Sequence, residues 1–458
     1  MNALDVSAEP VRVILDVSRL LSCGSKRAPS GIDRVELAYA RHYTGPTRQD
    51  TVFVAQDLMG HFGMLPAEDV SSLVDALTRV WTSEPSPGAA RRARILSIVL
   101  RARAGSGMGR AGLRQIINAP GRKAFLLVSH QALERSAPIE AMRRAGCVFV
   151  PLIHDLIPTT HPEYASPKQP ARHLRRISTT AALADAVIVN SAATAASLVP
   201  HLTIRGAPPP VLVAPLGIEL PDVPVPPIAL EPYFVSLGTI EPRKNHLLLL
   251  NIWREMAVSL GPRAPRLLVI GRRGWENENV LDMLERCAGL RGLVQEVGQV
   301  PDRTVAELLR GARALLFPSF AEGFGMPLAE ALALRVPAIC SDLPALREVG
   351  GDAPDFLDPL DGMGWRRAIL DYTRLNSPAR AAQIGRLGGW VVPTWADHFT
   401  KVDSMLARVV PQARRTALVA ERVRRTTTHG AIVGHGASAA HGVSAAHGVL
   451  ARSDEPAR

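Results

Sequence analysis

Cysteine, lysine and aromatic residues are all scarce in this chain. Its four cysteines, Cys23, Cys147, Cys287 and Cys340, are scattered through 458 residues. They have neither the CxxC spacing of a zinc or redox site nor the density of a disulfide scaffold. A reducing, cytoplasmic setting is therefore expected. No apolar run approaches the roughly 18 residues that a spanning helix needs. The opening MNALDVSAEPVRVILD lacks the basic flank and apolar segment of a signal peptide. Only five of the 53 basic residues are lysines, so a lysine at a chemically suggestive place carries weight. No Asp-x-Asp pair occurs, and nothing in the sequence indicates a metal bridging a diphosphate. No cofactor is called for.

The chain has ample core-forming material, with 47% hydrophobic and 21% charged residues. Its formal charge of +11 favours anionic partners. Short apolar runs alternate with helical patterns, the signature of parallel α/β architecture. The expected organisation has an α/β domain over 1–214, a proline-rich linker over 215–232 and a second α/β domain over 233–392. A helix follows over 393–410. The stretch 411–458, with its repeated ASAAHGV-like units, is predicted to be a disordered tail, having no large apolar residues to bury. Two Rossmann-like doubly wound domains then face an interdomain cleft, because such sheets bind ligands beyond the carboxyl ends of their strands.

Three segments carry chemistry. In ALLFPSFAEGFGMPLAEALALRV (314–336), a buried strand runs into a loop and then a helix with Pro327 in its first turn. The amides of Gly323, Phe324, Gly325 and Met326 stand at the positive end of that helix as free donors. Glu322 and Glu330 flank them, and carboxylates accept paired hydrogen bonds from vicinal hydroxyls. The second segment, GTIEPRKN (238–245), sets Arg243 and Lys244 together at a helix start with Asn245 as N-cap. An arginine fork and a lysine charge there suit a pyrophosphate. Third, nine basic residues and no acidic one fall within 88–123. Ile95, Ile98, Val99 and Ala102 share one helical face, a pattern suited to an anionic membrane surface. Nucleic acid is disfavoured as partner, since the nearest aromatic, Phe125, lies just outside the segment.

AEGFGMPLAEA resembles the E-x7-E segment of retaining family 4 glycosyltransferases of the GT-B fold, and GTIEPRKN is similar to the phosphate-binding segment of their mannosyltransferase-like, group 1 members. The resemblance is close over 233–357. It implies that Arg243 and Lys244 hold the donor diphosphate, Glu330 the nucleotide ribose and Glu322 the transferred sugar, whose other hydroxyls meet the amides of 323–326. Val300 would lie at the nucleobase, and Gly31, in SGIDRV, near the donor phosphates. His154, in VPLIHDLIPTTHPEY, is similar to the family's cleft-facing histidine and would act on sugar and acceptor near neutral pH. The implied reaction is metal-independent hexosyl transfer with retention, from GDP-mannose or alternatively UDP-glucose or another hexose donor. The acceptor would be a polysaccharide or a lipid-linked oligosaccharide. Cytoplasmic placement, peripheral on the inner face of the plasma membrane, goes with that reading. A non-catalytic nucleotide-sugar-binding protein is the alternative from another class.

Overall fold

The computed structural model describes residues 10–410 apart from 49, 83–85, 204–206 and 225–230. The expected tail over 411–458 lies outside the described residues. Among the described residues no helix is long and apolar enough to cross a membrane.

Two sheets organise the chain, and both belong to one compact unit. The first holds β1 (Arg12–Asp16), β2 (Val52–Gln56), β3 (Phe62–Leu65), β4 (Lys123–Leu127), β5 (Val148–Ile153), β6 (Val187–Val189) and β7 (Val211–Val213). Its order is β3-β2-β1-β4-β5-β6-β7. The second holds β8 (Tyr233–Leu237), β9 (Arg266–Ile270), β10 (Val294–Gly298), β11 (Leu315–Phe317), β12 (Ala338–Ser341) and β13 (Asp355–Leu357), in the order β10-β9-β8-β11-β12-β13. The pairings are parallel except β2 with β3. Strand order reverses between β1 and β4 and between β8 and β11, so each sheet opens a crevice at the carboxyl ends of those strands.

Runs such as RVILD and VFVPLI are buried almost end to end because helices cover both sheet faces. The helix Gly31–Tyr43 starts in a capping box: Ser30 Oγ accepts from the Asp33 amide and Asp33 accepts from the Ser30 amide. The antiparallel β3, FGML, was not expected from the sequence; it is short, contains glycine and pairs back through the turn after β2. The helix over 395–410 follows the second sheet in the chain, as expected, and packs on the first half. Phe399, Val402, Met405 and Leu406 enter the hydrophobic cluster that Leu15, Tyr39 and Phe53 form.

Candidate functional site

β8 delivers the chain to Gly238, and a 3-10 turn, Pro242–Lys244, leads into the helix His246–Leu260. Asn245 stands at the N-cap position but does not cap as expected. Its backbone is left-handed (φ 54°), and its Nδ2 donates to Pro359 O at 3.0 Å. That turn aims Arg243 and Lys244 at the loop after β11. Arg243 Nε lies 2.5 Å from Glu241 Oε1, Arg243 Nη1 lies 3.0 Å from Glu322 Oε2, and Lys244 Nζ bonds Glu322 Oε1. Lys244 also lies 4.5 Å over the Phe317 ring. Two cations thus share two carboxylates in a nearly dry cluster; burial would raise the Glu322 pKa, yet Arg243 and Lys244 hold it down at about 2.

The loop itself is shaped by its glycines. Gly325 takes a left-handed backbone (φ 96°) at the N-cap of Met326–Ala333. A Cβ on Gly323 would come 2.4 Å from His154 O, so only glycine lets this loop close on the first half. Ser191 Oγ and Thr194 Oγ1, both from the first half, donate to Gly323 O at 2.6 and 3.2 Å. The amides of residues 323–326 donate to no other described residue, leaving four N–H groups for an anion or hydroxyls at the helix start. The Phe324 side chain is buried and wedges into the hydrophobic cluster of the first half, leaving its amide as the group at the helix start. Gly31 opens its helix directly against Met326, whose sulfur would lie 3.3 Å from a Cβ there.

Glu330 lines a cavity of about 320 Å³ together with Arg34, Asp302, Met326, Trp81 and Trp395. Arg34, on the helix Gly31–Tyr43, spans the crevice in a bidentate pair with Asp302, at 2.5 and 2.6 Å. Burial raises the Glu330 pKa to about 7, with Arg34 opposing. Glu322 does not line this cavity. Val300 packs against the second sheet's hydrophobic cluster, and Asp302, two residues on, occupies the cavity wall instead.

His154 sits at the carboxyl end of β5, but it is not poised to titrate near neutral pH as expected. Burial takes its pKa down to about 4, so the ring is neutral at pH 7. Its Nε2 donates to Val128 O at 2.8 Å, leaving Nδ1 as the acceptor nitrogen. Asn190 Nδ2 donates to His154 O at 2.9 Å. His154 and His173 each meet the His130 ring edge-on, with ring centroids 5.1 Å apart in both contacts. Sequence reasoning missed Arg34, Asp302, Ser191 and Thr194. They meet the site from up to 268 positions away, and no local spacing announces such contacts.

Residues 226–355 match the glycosyl transferases group 1 family. Over 135 residues the chain is 40% identical to the O-antigen chain mannosyltransferase B of Escherichia coli, covering 29% of this chain and 35% of that protein. Over 310 residues it is 28% identical to the serotype-specific mannosyltransferase WbdA of Escherichia coli, covering 63% and 37%. The chain therefore spans little more than a third of these relatives' length. Among solved structures it is similar to Anabaena Alr3699/HepE in complex with UDP and glucose, with TM-score 0.54 and 15% identity over 90% of this chain and 99% of that one. It also resembles an Escherichia coli protein bound with UDP-2-fluoro glucose, with TM-score 0.55 and 13% identity over 87% and 99%. At such identities the likeness speaks for the fold alone. The chain is thus built on the GT-B fold, and its residues 226–355 are similar to the glycosyl transferases group 1 family.

Proposed function

We propose that the chain transfers a hexose, mannose from GDP-mannose, to a hydroxyl of a polysaccharide or lipid-linked oligosaccharide. Transfer proceeds with retention and without a metal, in the cytoplasm at an anionic membrane surface met by residues 88–123. The observation that carries the reading is the pair Arg243–Lys244 held on Glu322 beside four unengaged amides. A donor diphosphate offers those cations more negative charge than one carboxylate does. As they move to it, Glu322 is released to accept hydrogen bonds from the sugar's hydroxyls. Charge growing on the leaving phosphate then meets cations and N–H dipoles already in place, where water is excluded and little reorganisation is needed. Closure of Gly323 on His154 positions donor and acceptor together.

Incubation with GDP-mannose, UDP-glucose and other hexose donors tests this. Mannosyl transfer that persists in EDTA and gives an α-linked product by NMR is the expected result. Turnover of none of these donors, or an inverted product, overturns it. Thermal shift against the same panel gives the donor independently, since a ligand bound by the native state alone raises Tm.

Two further outcomes follow from the cavity around Glu330. Arg34→Ala is expected to raise the donor KM about tenfold, with Asp302→Ala adding little, because the two act as one bidentate unit. Equal, additive effects would show that they do not. The second outcome concerns pH. Glu330 in the folded protein holds its proton up to about pH 7, against an ordinary value of 4.5. Its contribution to stability is therefore complete below pH 4.5 and lost as the pH rises through 7. Ribose hydroxyls are best accepted by the ionised form, so donor affinity should weaken about fivefold between pH 7 and 6. Glu330→Gln should flatten that profile.

A further inference from the structure

The basic segment forms two helices, Pro87–Gly105 and Gly107–Asn118. The first packs on the core through only one of its two apolar faces. It buries small residues, Ala93, Ser97 and Ala104, with Leu100, and turns Ile95, Ile98, Val99 and Ala102 to solvent. Ile98 is 61% exposed and Val99 51%. Gly24 fixes this seating, because any Cβ there would lie 2.4 Å from Ser97 Oγ. The helix thus has two apolar faces, one holding Leu96 and Leu100 against the core and the other, of Ile95, Ile98 and Val99, left open.

Facing this helix across an open groove of about 780 Å³ is the turn between β2 and β3. Its tip carries Leu58 and Met59, 87% and 76% exposed. Arg94, Arg101 and Arg110 line the groove between the two apolar rims. Arg110 lies 3.5 Å from Asp57, and Arg101 reaches Ser22 Oγ at 3.3 Å. Arg94 meets no carboxylate among the described residues. Ser97 Oγ, on the same wall, is buried without a hydrogen-bond partner. The groove opens beside the carboxyl ends of β1 and β2, through Leu21, Ser22 and Asp57.

Cations along the walls and bare aliphatic side chains on both sides fit an amphiphile with a negative head. We propose that this groove seats the phosphate headgroup of an anionic membrane lipid, with Leu58, Met59 and Ile98 entering the bilayer's apolar boundary. The inference rests on the membrane reading of residues 88–123 and assigns it a site. Arg94 and Arg101 supply charge-assisted hydrogen bonds to the phosphate, and Ser97 a hydroxyl donor that nothing else uses. The carboxyl ends of the first sheet would thereby lie close to the lipid surface.

Co-sedimentation of the full chain with vesicles of phosphatidylcholine containing phosphatidylglycerol tests the assignment, with pure phosphatidylcholine as comparison. Arg94→Glu with Arg101→Glu is expected to weaken binding roughly thirtyfold. Arg91→Glu with Arg114→Glu changes the charge equally on the same helices but off the groove, and should cost less than about threefold. Leu58→Ser with Met59→Ser should weaken binding as well. Melting curves establish that each variant is folded. Equal losses for the two arginine pairs would overturn the groove and leave a diffuse cationic face. Equal binding to neutral vesicles would overturn the headgroup. Binding that requires a polyprenyl diphosphate in the vesicle would move the groove from membrane lipid to lipid-linked acceptor. Failure of the wild-type chain to bind anionic vesicles overturns both the groove and the membrane reading. None of these results bears on sugar transfer, which is measured separately with a water-soluble acceptor.

Discussion

Glu322→Gln is expected to lower hexosyl transfer about a thousandfold, the scale on which removal of a preorganised electrostatic group acts. Glutamine keeps the size of the side chain but cannot neutralise Arg243 and Lys244. The sequence alone suggests that Glu322→Ala and Lys244→Ala would each leave the protein folded. The structure revises that expectation: both residues are in one buried cluster, and removing one partner strands a charge. Breaking a buried pair in this way costs roughly 3–5 kcal/mol, so the single variants should melt earlier. The double variant Glu322→Gln/Lys244→Met removes one charge of each sign. It should recover much of the lost stability and none of the activity. Turnover near the wild-type level in either Glu322→Gln or the double variant would sink the assignment of the clamp.

Gly323→Val should be nearly as damaging for a different reason. The Cβ would meet a backbone carbonyl, His154 O, at 2.4 Å, and a carbonyl at a strand end cannot swing aside as a flexible side chain could. The second half would have to stand off from the first, breaking the bonds from Ser191 and Thr194 to Gly323 O. Transfer is expected to fall about a hundredfold or more, since misplacement by an ångström has that effect on positioned reactants. Affinity for a nucleotide alone should fall far less, because Arg243, Lys244 and Glu330 all lie in the second half. Small-angle scattering should show a larger radius of gyration for the variant. Unchanged scattering with unchanged transfer would mean that this contact does not limit closure.

Much of this was legible in the sequence, and the parts that were not have physical reasons. Parallel strands buried on both faces are continuous apolar runs, which is why β9 and β12 stand out in the sequence. Gly31–Tyr43 opens at its Ser30–Asp33 capping box, a signal carried by neighbouring residues alone. The short β3 escaped because FGML has too few residues to set up an alternation. The direction of Arg243 and Lys244 escaped too: a local pattern places two cations at a helix start but not the carboxylates that hold them. His154 looked like a neutral-pH titrating group because a sequence does not display desolvation. The face formed by Ile95, Ile98 and Val99 was recognised as apolar, yet only packing shows that it points outward. Roles for Glu322, Glu330 and the amides of 323–326 still rest on the proposed reaction.

The chain passes between its two halves at two places, and these touch. Ile218 N donates to Pro393 O at 3.0 Å, and Gly217 leaves room for Trp395, whose backbone nitrogen would lie 2.3 Å from a Cβ there. Two crossings fastened together behave as a pivot rather than a tether: the halves can swing apart like jaws, but sliding or twisting past one another strains both spans at once. A ligand entering that hinge-backed mouth would always find its opposing surfaces in the same register, however often they part.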